Sequence, residues 1–305
     1  MPLAERVRAL AGAGSIGFTP GSFAKIGEVR TLLAPGTTVR IGWPSDKVTP
    51  DRLIATAKAA REQEMAPFAL VPARRLASET EARDYLHRLV TEAGVRDIQL
   101  VAGDREPPRG PFRDSLDVLD SGILETAGLA RVGVAAHPGG HPHADDAELR
   151  RALRVKQAWH ERTGIRVRAR TQVVFDAAAV PTWAREVLWA EAPSLDLEVG
   201  VCGPVPLSEA VAYAHRCSGE LGVHEVARAE GIDPADPPDR EFDAGRALVT
   251  LARWLETDPA TPLAGLMINQ FGGTERTCRW LSAVQAGDFE VDHDTILVSE
   301  NWRDL

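Results

Sequence analysis

The sequence predicts a single (β/α)8 barrel, an α/β fold that occupies all of residues 1–305. Short apolar runs alternate with helical segments along the whole chain, and there are eight such runs. Most of them lack the in/out polar alternation of half-exposed strands, which is typical of parallel strands covered on both faces. Eight strand–helix units in this length favour a closed barrel. The alternative is an open doubly wound sheet, but the glycine-rich GxGxxG loop that usually follows its first strand is absent.

The predicted strands and helix ends follow from local patterns. Thr49-Pro50 offers an N-cap followed by proline at the first helical position. Ser78 with Glu81 fits a capping box, and Gly164 can end the helix that begins near Asp145. The eight predicted strands are Ser15–Phe18, Thr38–Trp43, Pro67–Val71, Asp97–Val101, Arg131–Ala136, Arg168–Phe175, Leu195–Val201 and Leu263–Asn269.

One long insertion is predicted near residues 218–241, between the seventh strand and a helix over Phe242–Glu256. It contains the turn-forming run Gly-Ile-Asp-Pro-Ala-Asp-Pro-Pro. A loop of this size at the C-terminal face of a barrel is usually a lid or a binding loop. The alternative is a surface excursion without a role at the site.

The composition excludes several classes of function. The 35 Lys and Arg against 44 Asp and Glu give a net charge of −9, and no basic block is present, so nucleic-acid binding is not expected. The N-terminus has no apolar signal segment, and no stretch is apolar enough to span a membrane. The three cysteines are far apart, which excludes a disulfide framework or a structural zinc site. We expect a cytoplasmic enzyme with a small-molecule substrate, and a homo-oligomer is possible.

The densest group of reactive side chains follows the fifth strand, where barrels place functional residues. The segment His137-Pro-Gly-Gly-His141-Pro-His143 holds three of the eight histidines, and two aspartates follow it. Imidazole and carboxylate groups suit a divalent metal or proton transfer near neutral pH. The alternative is a solvent-exposed loop that ends in a capping aspartate.

Three more polar side chains occupy informative positions. Asp104 closes the fourth strand, where it either contacts a ligand or merely ends the strand. Lys156 continues an apolar helix stripe, so it points inward and either meets an anionic ligand such as a phosphate or extends along the barrel edge. Gln172 interrupts an apolar strand, and its amide needs a partner in a ligand or a neighbouring strand.

These segments, in this order, resemble the methylenetetrahydrofolate reductase family. Val101-Ala-Gly-Asp104 is similar to its fourth-strand R-G-D, and the segment from Val134 to Pro142 is similar to A-A-Y-P-E-x-H-P. Thr171-Gln172-Val-Val-Phe175-Asp176 is similar to T-Q-F-F-F-D, and Gly200-Val-Cys-Gly-Pro-Val-Pro206 to P-G-I-x-P-I. The resemblance implies a flavoprotein barrel that holds FAD, takes electrons from NADH or NADPH and passes hydride to a folate derivative.

The resemblance also implies roles for individual residues. Asp104 lies between flavin and pterin. We assign Asp104, together with His137 at the position of the family's tyrosine, to both the catalytic and the cofactor-binding residues. His141 contacts the diphosphate-ribityl part of the flavin, and Lys156 contacts its phosphates. Gln172 hydrogen-bonds the pterin. No metal is implied.

The sequence departs from the family at its first strand, which carries the glutamate that protonates the folate ring. Here the segment reads Ser15-Ile-Gly-Phe-Thr-Pro20, without a carboxylate. The third-strand histidine that contacts flavin is replaced by Phe68. His137, where the family has tyrosine, is the nearest substitute acid, and Glu28 is the next.

Two other functions stay open on the sequence alone. A metal-dependent barrel hydrolase or lyase would use His137, His141 and His143 as ligands. A barrel that binds folate or flavin without turnover would explain the missing glutamate. Metal analysis and ligand binding without turnover distinguish these alternatives from a reductase.

Overall fold

The closed barrel predicted from the sequence is confirmed. The computed structural model describes residues 1–299, in which eight parallel strands pair in sequence order and β8 pairs with β1. Four of the predicted strands have the observed bounds, and the others shift by one or two residues at an end. The strands are β1 (Ser15–Phe18), β2 (Thr38–Ile41), β3 (Ala66–Pro72), β4 (Asp97–Val101), β5 (Arg131–Ala136), β6 (Arg166–Val174), β7 (Asp196–Cys202) and β8 (Leu263–Asn269).

Helices follow the strands and cover the outside of the barrel. An N-terminal helix and a C-terminal hairpin of two strands, β9 (Phe289–Asp292) and β10 (Thr295–Val298), are additions that the sequence patterns did not indicate. No helix within residues 1–299 has the length and apolarity needed to cross a bilayer. The helices are α1 (Leu3–Gly12), α2 (Pro20–Ile26), α3 (Pro50–Glu62), α4 (Glu79–Thr91), α5 (Ser115–Asp120), α6 (Asp146–Thr163), α7 (Val180–Trp183), α8 (Trp189–Glu191), α9 (Leu207–Glu230), α10 (Ala244–Thr257) and α11 (Thr274–Ala286).

The predicted helix ends form for the expected reasons. The Thr49 side chain accepts from the N–H of Arg52 ahead of Pro50, and the Ser78 side chain accepts from the N–H of Glu81. At the start of α6, Asp145 forms a full capping box with its third helical residue. Gly164 ends α6 in the left-handed region at φ 69°, where glycine carries no steric penalty.

The insertion expected as a loop over residues 218–241 is mostly helical. Helix α9 continues to Glu230 through a sharp kink at Gly219 (φ 61°, ψ −145°), so the irregular segment begins only at residue 231. Gly222 lets the two halves approach, because a Cβ there would lie 2.6 Å from the Ala214 carbonyl oxygen. The closely spaced glycines hid the helical pattern from sequence reasoning. Residues 220–230 are called the α9 arm below.

The interior of the barrel is charged, which is unusual for this fold. Arg170 is 1% exposed, and its Nη1 donates to the Ile98 carbonyl at 2.9 Å while its Nη2 donates to Asp97 Oδ2 at 2.8 Å. Its Nε donates to Glu198 Oε2. The guanidinium lies 4.4 Å from the ring centroid of Phe68. This network ties β6 to β4 and β7 across the barrel, and it leaves Phe68 in the core.

Candidate active site

Four of the five residues singled out from the sequence lie at one side of the barrel mouth, and the fifth, Lys156, lies in the wall beside them. Asp104 follows β4, His137 and His141 follow β5, and Gln172 lies near the end of β6, while Lys156 is on the helix after β5. Since β4, β5 and β6 are neighbours in the barrel, their C-terminal ends form one quadrant of the mouth. We call this the β4–β6 quadrant.

A buried arginine holds Asp104 in place. The Asp104 carboxylate is 82% exposed and accepts from Arg75 Nη2 at 2.6 Å. Arg75, whose side chain is 7% exposed, also pairs with Asp46. Asp46 in turn pairs with Arg105 at 3.0 Å. Sequence reasoning missed Arg75, although its position directly after the third strand is where a barrel places functional groups.

The histidines form a row instead of a converging cluster. The rings of His137 and His141 meet edge to face at 4.8 Å, and those of His141 and His143 at 5.8 Å. The backbone N–H of His143 donates to His141 Nδ1 at 3.1 Å. Within residues 1–299, no three His, Cys, Asp or Glu side chains form a group that could hold a metal ion. The metal-dependent alternative therefore has no ligand set in this part of the chain.

The surroundings of His137 disfavour the role of acid at neutral pH that the sequence suggested. Burial, followed by the nearby His141 and Lys156, lowers the pKa of His137 to about 3. The imidazole is therefore neutral at physiological pH. It can orient a ligand through its ring nitrogens, but it holds no proton to give as an imidazolium.

We expect the His137 ring to stay neutral from pH 8 down to pH 5, which ring-nitrogen NMR titration measures directly. Because the folded-state pKa lies below the ordinary value of 6.5, the unfolded chain takes up the proton first. The free energy of unfolding should therefore fall as the pH drops from 6.5 towards 3. His137→Gln should lose this part of the pH dependence. A His137 signal that titrates near pH 6.5 would contradict the assignment.

Lys156 points inward as predicted, but it is not presented to a ligand. It is 5% exposed, and its Nζ donates to the Ala135 carbonyl at 2.7 Å. Burial lowers the pKa of Lys156 to about 8, against the raising effect of Asp114. The ammonium therefore lies in the wall between α6 and β5.

The residues present do not fit the flavin that the resemblance implies. Its diphosphate needs a cation at the mouth, and Lys156 is held in the wall by the Ala135 carbonyl. The α9 arm packs on the loop that holds His141, which the resemblance assigns to the diphosphate-ribityl part of the flavin. There Leu221 lies against Gly140, and Glu225 lies against Gly139.

Gln172 lies at an irregularity of the barrel wall. The β6–β7 register shifts between Arg170 and Val173, and the Gln172 side chain is half-buried. Its Oε1 accepts from the backbone N–H of Val173 at 3.0 Å. The side-chain carbonyl is therefore satisfied by the next residue of the same strand and not by a neighbouring strand. Its amide NH2 has no hydrogen-bond partner within residues 1–299 and can donate to a ligand at the mouth.

A carboxyl group that sequence reasoning missed enters this quadrant from the α9 arm. Glu225 Oε2 accepts from the Phe175 N–H at 3.2 Å, and a Cβ on Gly139 would collide with its Oε1. Burial raises the pKa of Glu225, and Asp176 adds to this, while the Phe175 N–H and Arg228 oppose it. No local signal could have found Glu225, because it falls in the segment predicted as a loop.

A large cleft opens on the other side of the mouth. It has a volume of about 820 Å³ and lies at the C-terminal ends of β1, β2 and β8, beside the first turns of α9 and α11. None of the five sequence-predicted residues lines it. We call it the β8–β2 cleft.

An arginine fills the place of the family's acid at this cleft. A Cβ on Gly17 would lie 2.8 Å from Arg40 Nη2, which donates to Asn269 Oδ1 at 2.6 Å. The alternative acid Glu28 is at the opposite end of the barrel. The segment around Glu28 is bonded there to the end of α3, because the Gln63 side chain donates to the Gly27 carbonyl and accepts from the Arg30 N–H. The first strand therefore supplies no proton donor.

No protein-family model matches the chain. Among solved structures it is similar to dihydropteroate synthase from Thermus thermophilus, with 16% identity over 87% of this chain and 90% of that chain, at a TM-score of 0.43. It is also similar to a chitinase from Rhizomucor miehei, with 13% identity over 90% and 99% at 0.47. A third is N-acetylneuraminate lyase from Fusobacterium nucleatum, with 11% identity over 95% and 94% at 0.43. A shared barrel at such identities does not imply shared chemistry.

Proposed function

We propose that the chain is an oxidoreductase similar to methylenetetrahydrofolate reductase, which delivers hydride from NADH or NADPH to a folate one-carbon unit. One observation carries the proposal. Asp104 and Gln172, which match the family's motifs, and His137, which stands where the family has tyrosine, lie at the ends of three neighbouring strands and so share the β4–β6 quadrant. The quadrant also receives a carboxyl group, Glu225, with a raised pKa.

Each of these groups has a task in such a reaction. The free amide NH2 of Gln172 donates to an acceptor on the pterin edge. Asp104, held by Arg75, accepts from the amino and ring N–H groups of the same edge. The neutral His137 orients the ligand without repelling an iminium cation. These contacts position the one-carbon unit for hydride transfer, which depends mainly on alignment.

Opening the folate ring to the reactive iminium also needs a proton donor. Gly17 supplies none, Arg40 occupies the space beside it, and His137 is neutral. A carboxyl group with a raised pKa is the type of group that carries out this task near neutral pH. We assign the proton donor to Glu225, which reaches the quadrant from the α9 arm.

The test is donor oxidation by the purified protein, measured with NADH and with NADPH in the presence and absence of methylenetetrahydrofolate. We expect oxidation that depends on the folate and produces methyltetrahydrofolate. Asp104→Asn and Gln172→Ala should each raise the KM for the folate by about 10-fold or more, the loss expected for a hydrogen bond to a charged or buried group. Donor oxidation that ignores the folate would contradict the proposal.

Protein purified without added cofactor is expected to lack the visible absorption bands of a flavin. The reason is the engagement of Lys156 with the Ala135 carbonyl, which leaves the diphosphate without its cation. The same absorption spectrum is recorded after incubation with excess FAD and removal of unbound flavin by gel filtration. Free FAD passed over the same column is the control. Retention of one flavin per chain through gel filtration would contradict this account of the quadrant.

A second function, folate binding without turnover, is favoured by the arginine beside Gly17. In that case the protein would bind methylenetetrahydrofolate in a calorimetric titration and yield no product with either donor. The Asp104→Asn and Gln172→Ala variants would weaken binding equally in both cases. Product formation is thus the result that separates the two functions.

A further inference from the structure

The β8–β2 cleft contains a half-buried cation, Arg40, without a counter-ion within residues 1–299. Arg40 projects from β2 into the barrel, and its only hydrogen-bond partner within residues 1–299 is the neutral amide oxygen of Asn269. No carboxylate in the same residues comes within 4.0 Å of it. The neighbouring Arg170 and Glu198, by contrast, pair with each other. A guanidinium carries five donors, and among the described residues Arg40 uses only one of its own, the bond to Asn269.

The surroundings of Arg40 disfavour its charged form. Burial, together with repulsion from Arg170, lowers the pKa of Arg40 to about 10, although Glu198 opposes the shift. A lowered pKa means that the fold disfavours the charged form relative to the unfolded chain. Desolvated charges in proteins are usually paired, whereas Arg40 has only the Asn269 amide among the described residues.

A second donor without a partner lines the same cleft. Trp43 is 4% exposed, and its Nε1–H is buried without a hydrogen-bond partner in the described chain. The ring packs edge to face on Tyr85 at 5.4 Å. A buried indole N–H usually finds an acceptor. Of the three tryptophans whose buried N–H has no partner among the described residues, Trp43 is the one that lines this cleft.

The other charges around the cleft lie at its rim. Arg276 pairs with Glu241 at 2.9 Å, and Glu275 pairs with Arg279 at 2.6 Å. Lys25 and Glu209 also line the cleft, one of each sign. The rim is thus close to neutral, and the excess positive charge lies at the floor, at Arg40.

We propose that the β8–β2 cleft binds a small organic ligand through an oxyanion group, a carboxylate or a phosphate, which pairs with Arg40 and accepts from the Trp43 indole. The guanidinium fork matches the two oxygens of such a group. The apolar wall includes Phe18, Leu70 and Phe271, which suits a hydrophobic body on the ligand. Phe271 stacks on Tyr213 at 4.3 Å and adopts the left-handed region at φ 36°, a strained conformation found mostly at functional sites. None of these residues belongs to the β4–β6 quadrant, although Phe271 also stacks on Phe175 at 6.3 Å.

The test is the melting temperature at constant ionic strength in chloride, inorganic phosphate or benzoate. Phosphate, benzoate or both should raise the Tm of the wild-type protein by about 2 °C or more over chloride. The probe that acts identifies the oxyanion. Arg40→Met should lose that increment and should melt higher than the wild type in chloride, because the unpaired charge is gone. Arg151→Met, an exposed arginine on α6, is the matched control and should keep the wild-type behaviour.

Two conservative variants keep the test decisive if Arg40→Met does not fold. Arg40→Lys keeps the charge but not the fork and should retain only part of the anion increment. Trp43→Phe keeps the ring and removes the N–H, so it should lower the increment with little change of Tm in chloride. The proposal fails if neither oxyanion stabilises the wild type above chloride. It also fails if the increment persists in Arg40→Met, or if Arg40→Met melts below the wild type in chloride.

Discussion

Replacing Glu225 by glutamine is expected to slow folate reduction by about 10²–10⁴-fold, the contribution that a positioned proton donor makes. The amide can still accept from the Phe175 N–H, so the α9 arm should keep its place. The substitution thus removes the acidic proton and preserves the packing. Steady-state turnover with saturating folate measures the loss.

The pH profile separates a proton donor from a structural residue. Burial raises the pKa of Glu225, so its carboxyl stays protonated to a higher pH than an exposed glutamate and loses its proton as the pH rises further. Wild-type kcat/KM should therefore decline as the pH rises through that pKa, and Glu225→Gln should lack this limb. Glu220→Gln, on the same arm but 75% exposed, is the control and should keep the wild-type profile. If Glu225→Gln keeps the wild-type rates, Glu225 is not the proton donor.

Replacing Arg170 by methionine is expected to lower the free energy of unfolding by about 3–5 kcal/mol, the usual result of breaking a buried ion pair on one side. The change leaves the buried Glu198 carboxylate and the half-buried Asp97 carboxylate without their shared partner, so that Glu198 keeps only Arg168 and Asp97 only Arg131. It also frees the Ile98 carbonyl. Denaturant unfolding at neutral pH measures the change.

Two further variants show whether the loss comes from uncompensated charge. Arg170→Met combined with Glu198→Met should be more stable than the sum of the single effects predicts, because both charges are then absent. Arg166→Met, on the same strand but 68% exposed, removes a surface pair with Asp196 and should change stability by at most about 1 kcal/mol. Equal losses at the two arginines would contradict a special role for the interior network.

The barrel could be predicted because its signals are local. Continuous apolar runs, the N-caps at Thr49 and Ser78 and the stop at Gly164 each depend on a few adjacent residues. Barrel topology then places every strand end at one mouth, so the positions of Asp104 and Gln172 followed from the order of elements alone.

The site chemistry could not be predicted in the same way, because it depends on close approaches between distant segments. The Lys156 ammonium bonds the carbonyl of Ala135, 21 residues earlier, and this contact removes it from the mouth. Glu225 reaches Phe175 across 50 residues, from a helix whose pattern was masked by glycines. The pKa of His137 depends on burial that the loop sequence does not reveal.

The most direct test of the proposed reaction is the transfer of deuterium from nicotinamide labelled at C4. The purified protein, without added flavin, is incubated with the deuterated donor and methylenetetrahydrofolate, and the product is analysed by mass spectrometry. The proposed function requires methyltetrahydrofolate that carries one deuterium in its methyl group, with far less product in Glu225→Gln. Absence of labelled methyltetrahydrofolate, with either NADH or NADPH as donor, would contradict it.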